Sequence, residues 1–229
     1  MTSHQFSHNQ SKSAEGVASV SRHALKLQWF LIGLMALAII AVISVVAARW
    51  LAARQEPLPV LGTVPEFVLI ERSGQPFGSN DLRGNIWVAD FIFTNCAGTC
   101  PIMTTAMAEL QAAITEQKLD DVKLVSITVD PERDTPEVLA KFAEGYGAQV
   151  NHWFFLTGDG AAIQELANKG VRLSAATSGG PEEEPIIHSN RFVLVDRQAR
   201  IRGYYDGTDE AEVRRLWRDL ERLYREGAS

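Results

Sequence analysis

Cysteine is nearly missing from this chain of 229 residues: there are two, Cys96 and Cys100. Two cysteines cannot staple a domain of this size, so a disulfide framework is excluded, and their closeness points to one local redox or metal-binding pair. Positive charge is also in short supply. Lys and Arg number 22 against 28 Asp and Glu, a net charge of −6, which argues against a nucleic acid as partner. Long apolar runs are absent too, with one exception. Leu27 to Ala48, LQWFLIGLMALAIIAVISVVAA, carries no charge.

That exception is long enough to cross a bilayer, which takes about 20 apolar residues. Trp29 and Trp50 bracket it as interfacial aromatics do. A cleaved signal peptide has a shorter apolar core and a compact basic start. An uncleaved transmembrane anchor over 27–48 is therefore expected, although small residues near Ala47 and Ala48 leave cleavage open. Lys12, Arg22 and Lys26 precede the span, and Arg49 and Arg54 follow it. The positive-inside rule slightly favours a cytoplasmic N-terminus. Residues 1–26 are polar and rich in Ser, His and Gln, and are expected to be a disordered cytoplasmic tail. His4, His8 and His23 lie there, but nothing would hold them in the fixed geometry a metal needs. Residues 49–64 read as a linker, with Pro57 and Pro59 stiffening its end. A folded domain is expected over 65–229.

Within that domain the pattern alternates. Glu66 to Glu71 reads as a short first strand, and Asn80 to Asn85 as a loop. Ile86 to Phe93 is an apolar, β-favouring run. A turn holding both cysteines follows, then a helix over about Pro101 to Gln117. Its stripe of Met103, Met107, Leu110 and Ile114 marks a core face. Val122 to Val129 is β-branched and apolar, as a buried parallel strand is. Thr135 and Pro136 open a helix running to about Tyr146. Trp153 to Leu156 is a further strand, and Asp159 caps a helix ending near Gly170. Val171 to Ile187 is a long loop. Arg191 to Val195 and Ile201 to Tyr205 form a hairpin. Thr208 caps a last helix whose stripe is Val213, Leu216, Trp217, Leu220, Leu223 and Tyr224. The order predicts an α/β domain with helices on both faces of a parallel-containing sheet. This is a thioredoxin-like plan with an extra N-terminal strand and a central insertion, preceded by one transmembrane helix.

The chemistry concentrates at Cys96 and Cys100. A strand-to-helix turn places thiols beside the positive end of a helix dipole, which favours thiolate. Thiolate both attacks disulfides and binds metals. Three residues separate the pair, a spacing that still permits a disulfide and also suits two sulfurs on one metal. Two thiolates leave a metal unsaturated. His188, just before the hairpin, is the best third donor, because that loop faces the cysteine turn in such a fold. Taken alone, His188 reads more simply as a surface histidine. Two sulfurs and an imidazole suit copper, Cu(I) above all. Zinc with a fourth water is the chemical rival. Met103 and Met107 are soft donors, but their place on the helix stripe makes them core. Asp130 and Asp134 fit either a capping turn or a supporting role behind the cysteines, since strand ends gather at one sheet edge. Glu182 to Glu184 are most simply a solvated run.

At FTNCAGTCP, SITVDPERDTPEVLAKF, WFFLTG and a late histidine before FVLVD, the chain resembles the Sco/SenC family. These are membrane-anchored, thioredoxin-like copper proteins that assist assembly of the binuclear copper centre of cytochrome c oxidase. The likeness spans most of residues 65 to 206. It implies copper, as Cu(I) or Cu(II), on Cys96, Cys100 and His188, with the family's aspartate-rich turn at Asp130 to Asp134. It implies as partners the copper-centre subunit of the oxidase and other copper chaperones or thiol reductants. It also implies a bacterial inner-membrane protein, single-pass, with its C-terminal domain in the periplasm. The long glycine- and glutamate-containing loop before His188 departs from the family pattern.

Three activities follow. The first is a metallochaperone. The second is a thiol–disulfide reductase that keeps the oxidase's copper-site cysteines reduced, with Cys96 and Cys100 as its redox pair. The third, a peroxidase, is disfavoured. Peroxiredoxins carry a threonine three residues before the reactive cysteine and a proline seven before it, where this chain has Phe93 and Ala89. A sensor would need an output domain, and none is visible in the sequence.

Overall fold

The computed structural model describes residues 29–47, 49, 57–170 and 190–226. The chain divides into two compact units, Met1–Pro57 and Leu58–Ser229. In the first, helix α1 (Trp29–Ala47) has a mean hydropathy of 2.9 and buries none of its length, and it is long and apolar enough to span a membrane. The expected tail over 1–26 lies outside the described residues.

The second unit is built on one eight-stranded sheet. Its strands are β1 (Gly62–Thr63), β2 (Val68–Glu71), β3 (Pro76–Gly78), β4 (Ile86–Ile92), β5 (Val122–Thr128), β6 (Trp153–Thr157), β7 (Arg191–Val195) and β8 (Arg200–Asp206). They lie in the order β1-β8-β7-β4-β5-β6-β2-β3. β4, β5 and β6 run parallel, and β7 is antiparallel to β4. The helices are α2 (Ser79–Leu82), α3 (Cys100–Glu116), α4 (Pro136–Gly145), α5 (Gly160–Glu165) and α6 (Glu210–Glu226), and a π-turn, Leu166–Gly170, continues α5. As the pattern predicted, helices cover both faces, so β4 is buried along its whole length.

Alternation along β4 sorts the core into two layers. Ile86, Val88 and Ile92 meet Met103, Met107, Leu110 and Ile114 of α3, Leu139 of α4, and Leu216, Leu220 and Leu223 of α6. Trp87, Ala89 and Phe91 face the other way, with Leu82 of α2, Ile163 of α5 and Leu166 of the π-turn. The expected stripes on α3 and α6 are therefore core faces, and both methionines are filled into the interior.

Several local features differ from the reading of the sequence. The first strand is a hairpin of β2 and β3, with Val68 opposite Gly78. Residues 80–82, read as loop, belong to the single helical turn α2, where Asp81 Oδ2 accepts from the Gly78 N–H at 2.8 Å. Gly62 and Thr63, within the stretch read as a linker, pair with Ile201 and Arg200 of β8. The side chain capping α6 is Asp209, whose Oδ1 accepts from the Ala211 N–H at 2.7 Å. Thr208 instead donates to Asp206. Thr135 precedes α4 without capping it, and its hydroxyl donates to Glu137. Asp159 does cap α5, accepting from the Ala162 N–H at 2.9 Å.

Gly78 has extended backbone, yet a Cβ there would collide with the Phe67 carbonyl oxygen. Gly78→Ala is expected to lower stability by about 2 kcal/mol, the usual scale of an overpacked site, in urea unfolding followed by tryptophan fluorescence. An unchanged midpoint would show that the hairpin opens at no cost.

Candidate functional site

The chain leaves β4 at Ile92, turns through residues 93–99 and enters α3 at Cys100. The helix thus begins one residue earlier than the proline implied. Pro101 occupies the first turn, where a missing N–H costs nothing. The turn is closed by the Cys96 N–H to Phe93 O at 3.3 Å, and the first helical turn by the Met103 N–H to Thr99 O at 3.0 Å. Thr104 Oγ1 donates back to Cys100 O at 2.7 Å. Both thiols are free. Cys100 is buried at 6% exposure against the α3 side of the core, while Cys96 is partly exposed.

That difference in burial divides the pair electrostatically. Partial burial works against ionisation of Cys96. The Cys100 thiol and the backbone N–H groups of Cys100, Gly98 and Thr99 outweigh it and hold the Cys96 pKa below the ordinary thiol value. Burial pushes the Cys100 thiol up to about 12, and the neighbouring Cys96 sulfur and the Asp90 carboxylate add to the rise. One proton leaves the pair easily and the second with difficulty. The thiol whose ionisation is favoured is the more accessible one.

Asp90 is a feature that sequence reading passed over. It sits between Val88 and Ile92 on the α3-facing side of β4, fully buried, and opposes Ser126 of β5 in register. The Ser126 hydroxyl is engaged by Trp153 Nε1 at 3.0 Å. Neither carboxylate oxygen of Asp90 finds a hydrogen-bond partner among the described residues. Burial raises its pKa to about 7, and Ser126 offsets only part of that rise. The signal in the sequence was a lone acid inside the run IWVADFI.

The two aspartates of the DPERD turn part company. Asp134 is buried and accepts three hydrogen bonds: from the Thr94 N–H at 3.0 Å, from Thr94 Oγ1 at 2.5 Å and from Thr128 Oγ1 at 2.5 Å. Thr94 belongs to the cysteine turn, so Asp134 is tied to that turn. Asp130 closes the turn instead. Its carbonyl accepts from the Arg133 and Asp134 N–H groups, and its carboxylate pairs with Arg133 at 3.4 Å. Thr94 and Thr128 were not singled out from the sequence, where each is one hydroxyl residue among many.

His188 and the loop before it lie outside the described residues. Among the described residues, no group of three or more His, Cys, Asp and Glu could hold a metal. The two sulfurs are the soft donors the described structure brings together, and soft donors select Cu(I) or zinc over hard cations. A groove of about 590 Å³ opens beside the turn between α3 and α6, lined in part by Pro101, Ile102, Thr105, Val213 and Arg214. Among the described residues its lining presents no sulfur or imidazole.

The order β8-β7-β4-β5, with α3 after β4 and α6 after β8, and a thiol pair where β4 hands over to α3, define a thioredoxin-like dithiol protein. The sequence profile of SCO1/SenC matches residues 57–225, and the chain belongs to that family. It is 36% identical over 152 residues to the SCO1 protein homolog of Bacillus subtilis (strain 168), covering 66% of this chain and 77% of that protein. The solved structure of BsSco, a member of the Sco family of cytochrome c oxidase assembly proteins for which a disulfide switch is described, has a TM-score of 0.62 and 32% identity, covering 74% of this chain and 98% of that one. Bradyrhizobium japonicum ScoI, solved with copper bound, has a TM-score of 0.55 and 23% identity over 70% of this chain and 99% of its own, a likeness of fold.

Proposed function

We propose that this chain is a membrane-anchored copper metallochaperone that carries copper on Cys96, Cys100 and His188 and delivers it during assembly of the binuclear copper centre of cytochrome c oxidase. The observation that carries the reading is the thiol pair itself, one thiol partly exposed and predisposed to thiolate, the other buried, in a member of the SCO1/SenC family. Copper is the cargo. Taking it up as Cu(I) displaces the thiol protons, so affinity rises with pH. Release needs an accessible face, which Cys96 offers. Helix α1 is the membrane anchor, in a bacterial inner membrane, and the thiol domain faces the periplasm, where a cysteine pair can cycle through a disulfide. Partners are the copper-centre subunit of the oxidase and the copper donors or thiol reductants that recharge the pair.

The unequal thiols also favour a second activity, reduction of a disulfide on the oxidase subunit. The Cys96 thiolate attacks one partner sulfur, forms a mixed disulfide and releases the other partner sulfur as thiolate. Cys100 then attacks Cys96 Sγ and frees the partner dithiol. Two electrons leave the pair, which ends as a disulfide and must be reduced again.

The test is an anaerobic Cu(I) titration of the reduced full chain in detergent, against a competing chelator. One copper per chain is expected, with affinity at least about tenfold weaker in His188→Ala, on the scale expected when a metal site loses supporting chemistry. Equal binding by the two proteins would remove His188 from the site and leave the reductase as the leading activity.

A further inference from the structure

Beyond Ile92 the β4–β5 ladder ends, its last pair being Ile92 opposite Thr128. The chain then has to hold Cys96 at a set place relative to Cys100 without help from strand pairing. Cys100 is fixed by α3 and by its burial in the core. Cys96 is fixed from the other side. Two residues before it, Thr94 gives both its N–H and its hydroxyl to Asp134, which stands 40 residues further on, at the exit of β5.

The donor set explains why this position is an aspartate. Thr94 N–H, Thr94 O–H and Thr128 O–H all converge on two oxygens. A carboxylate accepts all three on its two oxygens, whereas an asparagine would have to take the Thr94 N–H and the Thr128 hydroxyl on one oxygen and reverse the bond to Thr94 Oγ1. No ion pair to Asp134 occurs among the described residues, and the nearby Arg133 is engaged by Asp130. A buried carboxylate without a cation is costly, and here three charge-assisted hydrogen bonds offset that cost. Thr128 is tied in as well, because its hydroxyl also accepts from the Asp130 N–H at 3.0 Å. The arrangement is a clamp of named parts: Thr94 on the cysteine turn, Thr128 at the end of β5, and Asp134 between them.

We propose that Asp134, acting through Thr94, is the positioning residue of the thiol pair, setting where the Cys96 sulfur stands relative to Cys100. The inference rests on the pair being the working site. The Cys96 N–H is bonded to Phe93 O, next to Thr94, so a turn released at Thr94 lets the Cys96 sulfur move relative to Cys100. Metal affinity and thiol reactivity fall together, while the fold keeps its core.

The experiment uses the reduced full chain in detergent as wild type, Thr94→Val, Thr94→Ser, Asp134→Asn and Thr94→Val with Asp134→Asn. Three quantities are read on each: Cu(I) affinity by chelator competition, the rate of Cys96 alkylation by iodoacetamide at pH 7, and the melting temperature. Thr94→Val and Asp134→Asn are each expected to weaken Cu(I) by at least about tenfold, the scale seen when a group supporting a metal ligand is lost. Thr94→Ser keeps the hydroxyl and should match wild type. The double variant should be no worse than the weaker single one, because both remove the same contact. A Thr94→Val protein with wild-type affinity and alkylation rate overturns the clamp, even if Asp134→Asn melts earlier. Should the wild-type chain bind no Cu(I), the metallochaperone reading fails by itself, and the alkylation rate alone decides: slower in Thr94→Val but not in Thr94→Ser supports positioning, equal in both refutes it.

Discussion

Cys100→Ser will leave the reduced protein reacting with iodoacetamide at close to the wild-type rate at pH 7, and Cys96→Ser will slow it by on the order of 100-fold. The argument is arithmetic on the two thiols. Cys96 ionises below the ordinary value of 9.0 and Cys100 only at about 12, so at neutral pH their thiolate fractions differ by at least about three powers of ten. The more basic sulfur recovers about half of that difference through greater nucleophilicity. The 6% exposure of Cys100 slows it further and brings the ratio to on the order of 100-fold. Serine at 100 can still donate to Cys96, preserving part of its activation. Serine at 96 removes a neighbouring charge that opposes ionisation of Cys100, but burial persists. The same asymmetry governs trapping of a partner: Cys100→Ser should accumulate a mixed disulfide through Cys96, and Cys96→Ser should not. Equal alkylation rates in the two variants would show that neither thiol is the designated nucleophile.

Asp90→Asn is expected to stabilise the protein above pH 7 and to have little effect at pH 4. Below the ordinary carboxyl pKa of 3.8, Asp90 is protonated in the folded and unfolded chain alike and contributes no pH dependence. Between there and about 7 the unfolded chain gives up the proton while the folded protein retains it. Folding is therefore progressively disfavoured as pH rises through this window. At 1.36 kcal/mol per unit, the cost reaches at most about 4 kcal/mol near neutrality. Asparagine has the same shape and no charge, so it abolishes the slope. Thermal unfolding of both proteins from pH 4 to 8, followed by tryptophan fluorescence, measures the difference curve directly. Asp196, held below its usual carboxyl range despite burial by Arg202 and Arg200, gives the opposite slope in both proteins and cancels in the comparison. Parallel curves for wild type and Asp90→Asn would mean that water or a partner reaches the carboxylate.

Much of this protein was legible in the order of its residues. The apolar run feeding the cysteine turn became the fully buried β4, because a central strand with helices on both sides has no face to leave polar. The spacing of Met103, Met107, Leu110 and Ile114 named the buried face of α3 for the same local reason, the periodicity of a helix. The uncharged run near the N-terminus foretold α1. The cysteines announced themselves by being alone and close together.

Short elements were harder. The two- and three-residue strands β1 and β3 have no periodicity of their own and exist because β8 and β2 offer them a ladder. Asp209 rather than Thr208 caps α6, a one-residue choice made by backbone geometry. Polar roles at the site were harder still. Asp90 acquires its character from burial beside Ser126 of the next strand, and Asp134 from Thr94 and Thr128, groups brought together by sheet register and by the turn after β5. Local patterns act over a few residues, so the sequence by itself determined the longer elements, the apolar helix α1 and the nearness of the two thiols. Burial and hydrogen-bond partners across 40 residues are properties of the packed chain. Only the tertiary structure decided which thiol is accessible, which aspartate supports the turn and which carboxyl lies fully buried.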